Sequence, residues 1–254
     1  MIPDRLTADL SESYKVSIRL TPDGLSFCGH IPSQKDSSFT ESYPFDPALS
    51  AVQSLKNIFF NHPFFSYVYQ SIQVICVSET FTLSPEHVFS EPDKEQLFFF
   101  CHLPNPSLKV ISQPLEALGA FMLFGIDKEV YAFLIRSLSS PVFVHSLSPV
   151  LLSWQKKSQL LFHKQMYVII HEDRIEVMCL QQGELLFANV FKSESVNDMI
   201  YYIMYICKQT GFDQLDDALK LSGNKAKCQE AMSVIANYIK QAAYIQTDMM
   251  ECEL

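Results

Sequence analysis

With 254 residues, 48% of them hydrophobic, the chain is long enough to bury a sizeable core as one large domain or as two lobes. A net charge of -9 without a dense Lys/Arg run excludes nucleic acid and anionic lipid as main partners. No apolar run approaches the ~20 residues of a membrane helix, and the stretch from Met1 to Lys15 lacks an apolar signal core, so a cytoplasmic protein without membrane insertion is expected. The seven cysteines contain no C-x-x-C pair and sit mostly in apolar runs, as Cys76, Cys179 and Cys207 do, which suits reduced core thiols.

Lys15 to Leu20 alternates, with Val16, Ile18 and Leu20 opposite Lys15, Ser17 and Arg19, and predicts a strand. Thr21, Pro22, Asp23 and Gly24 spell a tight turn in which proline presets its dihedral and Gly24 takes a left-handed position. Leu25 to Ile31 returns as a second strand and Ser38 to Tyr43 forms a third. Asp46 with Pro47 opens a helix that points Leu49, Val52, Leu55 and Phe59 inward and ends before Pro63. The dense β-branched run from Ile72 to Val77 is a buried strand.

Between Phe81 and Gln113 the pattern is less distinct, with strands expected at Leu97 to Leu103 and Leu108 to Gln113. Beyond it, Ala120 to Ile126 reads as a strand, Asp127 to Leu138 as a helix capped by Asp127, and Val142 to His145 as a strand. This alternation implies parallel pairing. Ser148 and Pro149 start a helix running to about Phe162. Three short strands follow, at Met166 to Ile170, Arg174 to Leu180 and Glu184 to Phe191. The first is apolar on both faces, which suits a strand covered on both sides.

Ser195 and Asp198 have capping-box spacing and open a helix with Val196, Met199, Ile200, Ile203, Met204 and Cys207 inward and Gly211 as its stop. Ala218 to Leu221 is a short strand turned by Ser222 and Gly223. Lys225 to Ile245 follows as a helix with Cys228, Met232, Ile235, Ile239 and Ala243 inward, and Thr247 to Leu254 is a polar tail. Two related halves emerge, each a meander of strands with a helix packed back on it. The expected division is 1–148 and 149–254.

This order, three-strand meander, helix, strand and helix occurring twice, resembles the actin-like ATPase superfold, whose unit is the ribonuclease-H-like half. The fold class implied is α/β (α+β), two-lobed with mixed sheets. The segment LLFANVFKSESVNDMIYYIMYICKQTGFDQLDDALKLSG, through Asn189, Phe191, Asp198, Tyr201, Tyr202 and Gly223, looks like a Bacteroidetes family catalogued as domain of unknown function 3822. VSIRLTPDGLSF and AFMLFGIDKEVYAFL look like it too.

The superfold resemblance implies an acid and glycines in the first hairpin of each half, to cradle phosphates and hold magnesium or water. The first hairpin offers only Asp23 and Gly24, the second Glu172 and Asp173 with no glycine, and a single Gly223 stands where paired glycines usually follow the late strand. Nucleotide chemistry, a cofactor and a metal are therefore not expected. The seven histidines have no ligand spacing and read as turn or surface residues, and Cys28 beside Gly29 and His30 is a weak nucleophile candidate. Asn189 and Asp198 are expected to be spatial neighbours that, with Tyr201 and Tyr202, fasten the helix onto the strand or form a ligand site. The function implied is a non-enzymatic binding or scaffold protein for an unidentified protein partner. The alternative is an ATPase or phosphotransferase with atypical phosphate loops.

Overall fold

The computed structural model describes residues 6–34, 36–78 and 80–246. The tail expected from Thr247 lies outside them. In the first half a short helix α1 (Ala8–Ser11) precedes the meander β1 (Lys15–Thr21), β2 (Gly24–His30) and β3 (Phe39–Pro44), then α2 (Ala51–Asn61) and β4 (Ser71–Cys76). An insertion follows: β5 (Phe81–Pro85), α3 (Lys94–Cys101), β6 (Leu108–Leu115) and β7 (Ala120–Asp127). The half closes with α4 (Lys128–Ser137) and β8 (Val142–His145), and α5 (Ser148–Ser158) leads on to the second. The second half comprises β9 (Gln165–Ile170), β10 (Arg174–Gln181), β11 (Glu184–Lys192), α6 (Val196–Thr210), β12 (Ala218–Gly223), α7 (Lys225–Ile235) and β13 (Gln241–Tyr244).

The two large sheets have orders β3-β2-β1-β4-β8 and β11-β10-β9-β12-β13, the same topology twice. In each, the meander is antiparallel and the last two strands join in parallel. The protein is therefore a two-lobed, duplicated fold with mixed sheets. The insertion forms its own antiparallel sheet, β5-β7-β6, between β4 and α4 of the first lobe.

The second sheet is covered on both faces, which explains the unbroken apolar runs of β9 and β10. Met166, Val168, Ile170, Ile175, Val177 and Cys179 pack with α6 and α7. On the other face Tyr167, Ile169, Met178 and Leu180 belong to the core of the first lobe, together with Leu115 and Trp154. Among the described residues six cysteines are free, and all but Cys101 are buried. No described helix is long and apolar enough to cross a membrane.

Several expectations are corrected. Helix α2 starts at Ser50, whose hydroxyl accepts from Gln53 N while Gln53 Oε1 accepts from Ser50 N. The Asp46 carboxylate instead accepts from Ala48 N in a local turn, and Leu49, ahead of the helix, is exposed. Leu97 to Leu103 is not a strand: most of it lies in α3, where Phe98 alone is fully buried, Leu97 and Phe99 are half-buried against the same small core, and Phe100 is exposed. Helix α5 stops at Ser158. Helix α7 ends at Ile235, where Asn237 Nδ2 donates to the carbonyls of Ser233 and Val234, and the chain then returns as β13 beside β12, leaving Ala243 exposed. Strand β7 pairs antiparallel, so only β8 fulfils the parallel expectation for this region.

Candidate functional site

The first hairpin turns at Pro22 and Asp23, between the paired Thr21 and Gly24. Thr21 Oγ1 lies 2.7 Å from Asp23 Oδ1 and 3.0 Å from the Gly24 carbonyl, so the carboxylate is turned onto its own loop. The Asp23 carbonyl accepts from Phe45 N at 2.9 Å. Gly24 does not adopt a positive φ. It is needed because a Cβ there would sit 2.7 Å from the Tyr43 carbonyl oxygen, against strand β3. The left-handed turn expected from the sequence is thus replaced by a close backbone approach.

The second hairpin, at the ends of β9 and β10, is tied to the start of α7. Asn224 Nδ2 donates to Glu172 Oε1 at 2.5 Å, and Lys227 Nζ pairs with Glu172 Oε2 at 3.2 Å and also donates to the Glu172 carbonyl. Asn224 Oδ1 accepts from Lys227 N and so caps α7. Gly223 has φ +94°, and a Cβ on it would run into the Ile170 carbonyl oxygen. Asp173 pairs with Arg174 at 3.1 Å.

Asn189 and Asp198 hydrogen-bond to their own surroundings. Asn189 is exposed on β11 opposite Val177, and its Oδ1 accepts from Val190 N. It lines a cavity of about 300 Å³ between the lobes, with Thr80, Phe81 and His102 on one side and Asp173, Arg174 and Lys192 on the other. Asp198 completes the predicted capping box: its N–H donates to Ser195 Oγ at 3.2 Å and its Oδ2 accepts from Ser195 N at 3.0 Å. Hydrogen bonds from the Ser195 hydroxyl and backbone hold its carboxyl below the usual range. Tyr202 stacks on Phe191, with centroids 4.4 Å apart, and fastens α6 to β11, whereas Tyr201 is 65% exposed and its ring meets those of Tyr202 and Tyr205 on the same helix.

Two further features were hidden in the sequence. His145, read there as a turn or surface residue, is buried at the end of β8: its Nε2 lies 3.1 Å from the Ser78 carbonyl and its Nδ1 accepts from Leu147 N. Burial lowers its pKa, against the opposing pull of that carbonyl and of Glu176. Glu176 is itself buried on β10, on the face turned to the first lobe, with His171 Nε2 3.1 Å from its Oε1. The second feature is a cavity of about 720 Å³ in the first lobe, lined by the ends of β1 and β4, by α3 and by the start of α4. Its lining comes from segments between Leu20 and Val130, and no local motif announces it.

A solved protein with actin-like ATPase fold and unknown function, from Bacteroides thetaiotaomicron VPI-5482, is 32% identical to this chain, covering 93% of it and 92% of that chain with a TM-score of 0.84. The PilM-PilN type IV pilus biogenesis complex matches 92% of this chain and 88% of its own at 11% identity and a TM-score of 0.50, a likeness of fold alone. No curated protein matches the chain. The family described as Protein of unknown function (DUF3822) matches residues 3–242. Two lobes of one topology and this match over nearly the whole chain lead to one conclusion: the protein belongs to the DUF3822 family and carries the actin-like ATPase fold.

Proposed function

We propose that this chain is a non-enzymatic, cytoplasmic binding protein that keeps the actin-like frame without its nucleotide chemistry. The observation that carries the reading is that the acids at both hairpin tips are spent on their own surroundings. Asp23 is engaged by Thr21, and Glu172 by Asn224 and Lys227. A phosphate cradle needs successive free backbone N–H groups and a basic side chain. Pro22 has no N–H, the second hairpin has no glycine, and Lys227 is neutralised by Glu172. Arg174 and Lys192, which border the interlobe cavity, each pair with an acid, Asp173 and Glu194.

The frame suits a partner-binding role: PilM, which shares the fold, is solved in complex with PilN. Tyr201 and Tyr205 offer the exposed amphipathic rings that protein interfaces favour. Calorimetric titration of the full chain with ATP and magnesium tests the reading. No saturable heat is expected in the micromolar range, and saturable binding there overturns it.

A further inference from the structure

The first-lobe cavity is bounded by the carboxyl ends of β1 and β4, where Leu20, Cys76 and Val77 line it, and by Phe98 and Leu103 from α3 and the loop that follows. Its volume, about 720 Å³, falls within the roughly 300–1,000 Å³ of pockets that hold small organic molecules. The carboxyl ends of strands are also where open α/β sheets place their ligands.

The lining chemistry narrows the ligand. Among the described residues that line the cavity there is no lysine or arginine, and Asp127 is the one carboxylate. At the helix ends bordering it, capping side chains already take backbone N–H groups. Asp127 Oδ1 takes Glu129 N and Val130 N of α4, and Ser50 takes Gln53 N of α2. The hydroxyls of Thr21 and Ser78 already donate, to Asp23 and to the Thr80 carbonyl, so towards the cavity they act as acceptors. His102 and Asn105 add polar groups to the lining, and burial lowers the His102 pKa, away from a fixed positive charge. A predominantly apolar wall with one negative charge and no lysine or arginine disfavours anions, whose burial without a counter-charge is costly.

We infer that this cavity binds a small, largely apolar molecule that is uncharged or carries an amine, and that it discriminates against carboxylates and phosphates. The inference deepens the binding-protein reading and rests on it.

Isothermal titration of the full chain with octanol, octylamine and octanoate tests the inference. Octanol and octylamine are expected to bind saturably at one site, and octanoate at least about ten-fold more weakly because of the charge of Asp127. Val77→Phe, which fills the cavity, is expected to weaken octanol binding at least about ten-fold. Asp127→Asn keeps a helix-capping side chain and is expected to bring octanoate to within about three-fold of octanol. The inference is overturned if octanol gives no saturable binding, if folded Val77→Phe binds it unchanged, or if octanoate matches octanol in the wild type. It is equally overturned if Asp127→Asn leaves the discrimination against octanoate intact. Failure of octanol together with failure of ATP removes this inference alone, whereas micromolar ATP binding removes the binding-protein reading itself.

Discussion

Trp154 lies flat on Tyr167, with ring centroids 4.3 Å apart and planes within 10° of parallel, joining α5 to the face of the second sheet that points into the first lobe. Both rings are buried, and the surroundings push the Tyr167 hydroxyl up to about 12. The stack is a rivet between the halves of the fold. Replacing Trp154 with Ala opens a cavity at this contact and is expected to cost about 3–5 kcal/mol, as other large-to-small aromatic changes do. Trp154→Phe, which keeps a ring on Tyr167, is expected to cost clearly less. Urea unfolding followed by circular dichroism measures both, and an Ala variant as stable as the wild type would show that the stack does not hold the lobes together.

Gly223 ends β12 beside Ile170. With φ +94° and a neighbouring carbonyl in the path of any Cβ, it is the position where the sheet tolerates a side chain least. Gly223→Ala is expected to destabilise by roughly 1–3 kcal/mol through backbone strain alone. Thermal melts of this variant beside Gly211→Ala, where a Cβ meets nothing within 4 Å but φ is also positive, separate the clash from the dihedral cost.

For Asp198 the capping box predicts a loss of stability on replacement. Its folded pKa lies below the unfolded value, so its contribution is present at neutral pH and is lost as pH falls through the acid range below about 4. Asp198→Ala is expected to melt earlier than the wild type at pH 7 and to show a smaller difference at acid pH. Asp198→Asn, which keeps an acceptor, falls between the two. Because Asn189 is exposed and holds Val190 N, the loss adds no unpaired interior group. A higher melting temperature for Asp198→Ala would point instead to a ligand-binding carboxylate held at a cost to stability.

His145 gives the fold a pH dependence of its own. Burial depresses its pKa, so the unfolded chain takes up a proton that the folded state refuses. The stability it supports is complete above the unfolded value of about 6.5 and declines as pH falls from there towards the folded pKa. His145→Gln retains a donor for the Ser78 carbonyl and is expected to flatten the stability profile as pH falls below about 6.5. Denaturant midpoints at stepped pH compare the two proteins. Parallel profiles would assign the acid sensitivity to other groups.

Most of the fold was legible because its signals are local. The Ser195 and Asp198 spacing, the Asp127 cap and the two-faced apolar runs at Met166 and Ile175 each announce an element without reference to the rest of the chain. The misread segments have ambiguous periods. The Phe-rich run around Phe98 carries no alternation that separates strand from helix. The helical period after Lys225 continues through Ile239, although the turn at Asn237 breaks it by side-chain hydrogen bonds to Ser233 and Val234. Gly24 shows the limit at one residue: its presence was readable, while its cause, the Tyr43 carbonyl, comes from another strand. The cavity and the burial of His145 arise from segments far apart in sequence, so no spacing rule reaches them. A histidine closing the apolar run Val142-Phe143-Val144 is the one local hint that His145 is interior.

The position of the insertion also orders assembly in time. Strand β8 pairs with β4, from Gln73 against Val142 to Cys76 against His145, and the whole inserted sheet lies between them in sequence. A chain emerging from the ribosome must therefore hold the edge of β4 unpaired until the insertion has been made, and the long loop adds entropy to the closure. The second sheet has no such interruption, since β9 to β12 follow through two hairpins and one helix. Its shorter-range contacts favour faster closure once made. The half synthesised last is thus the one equipped to consolidate quickly, and the first half finishes late around the segment that also walls its cavity.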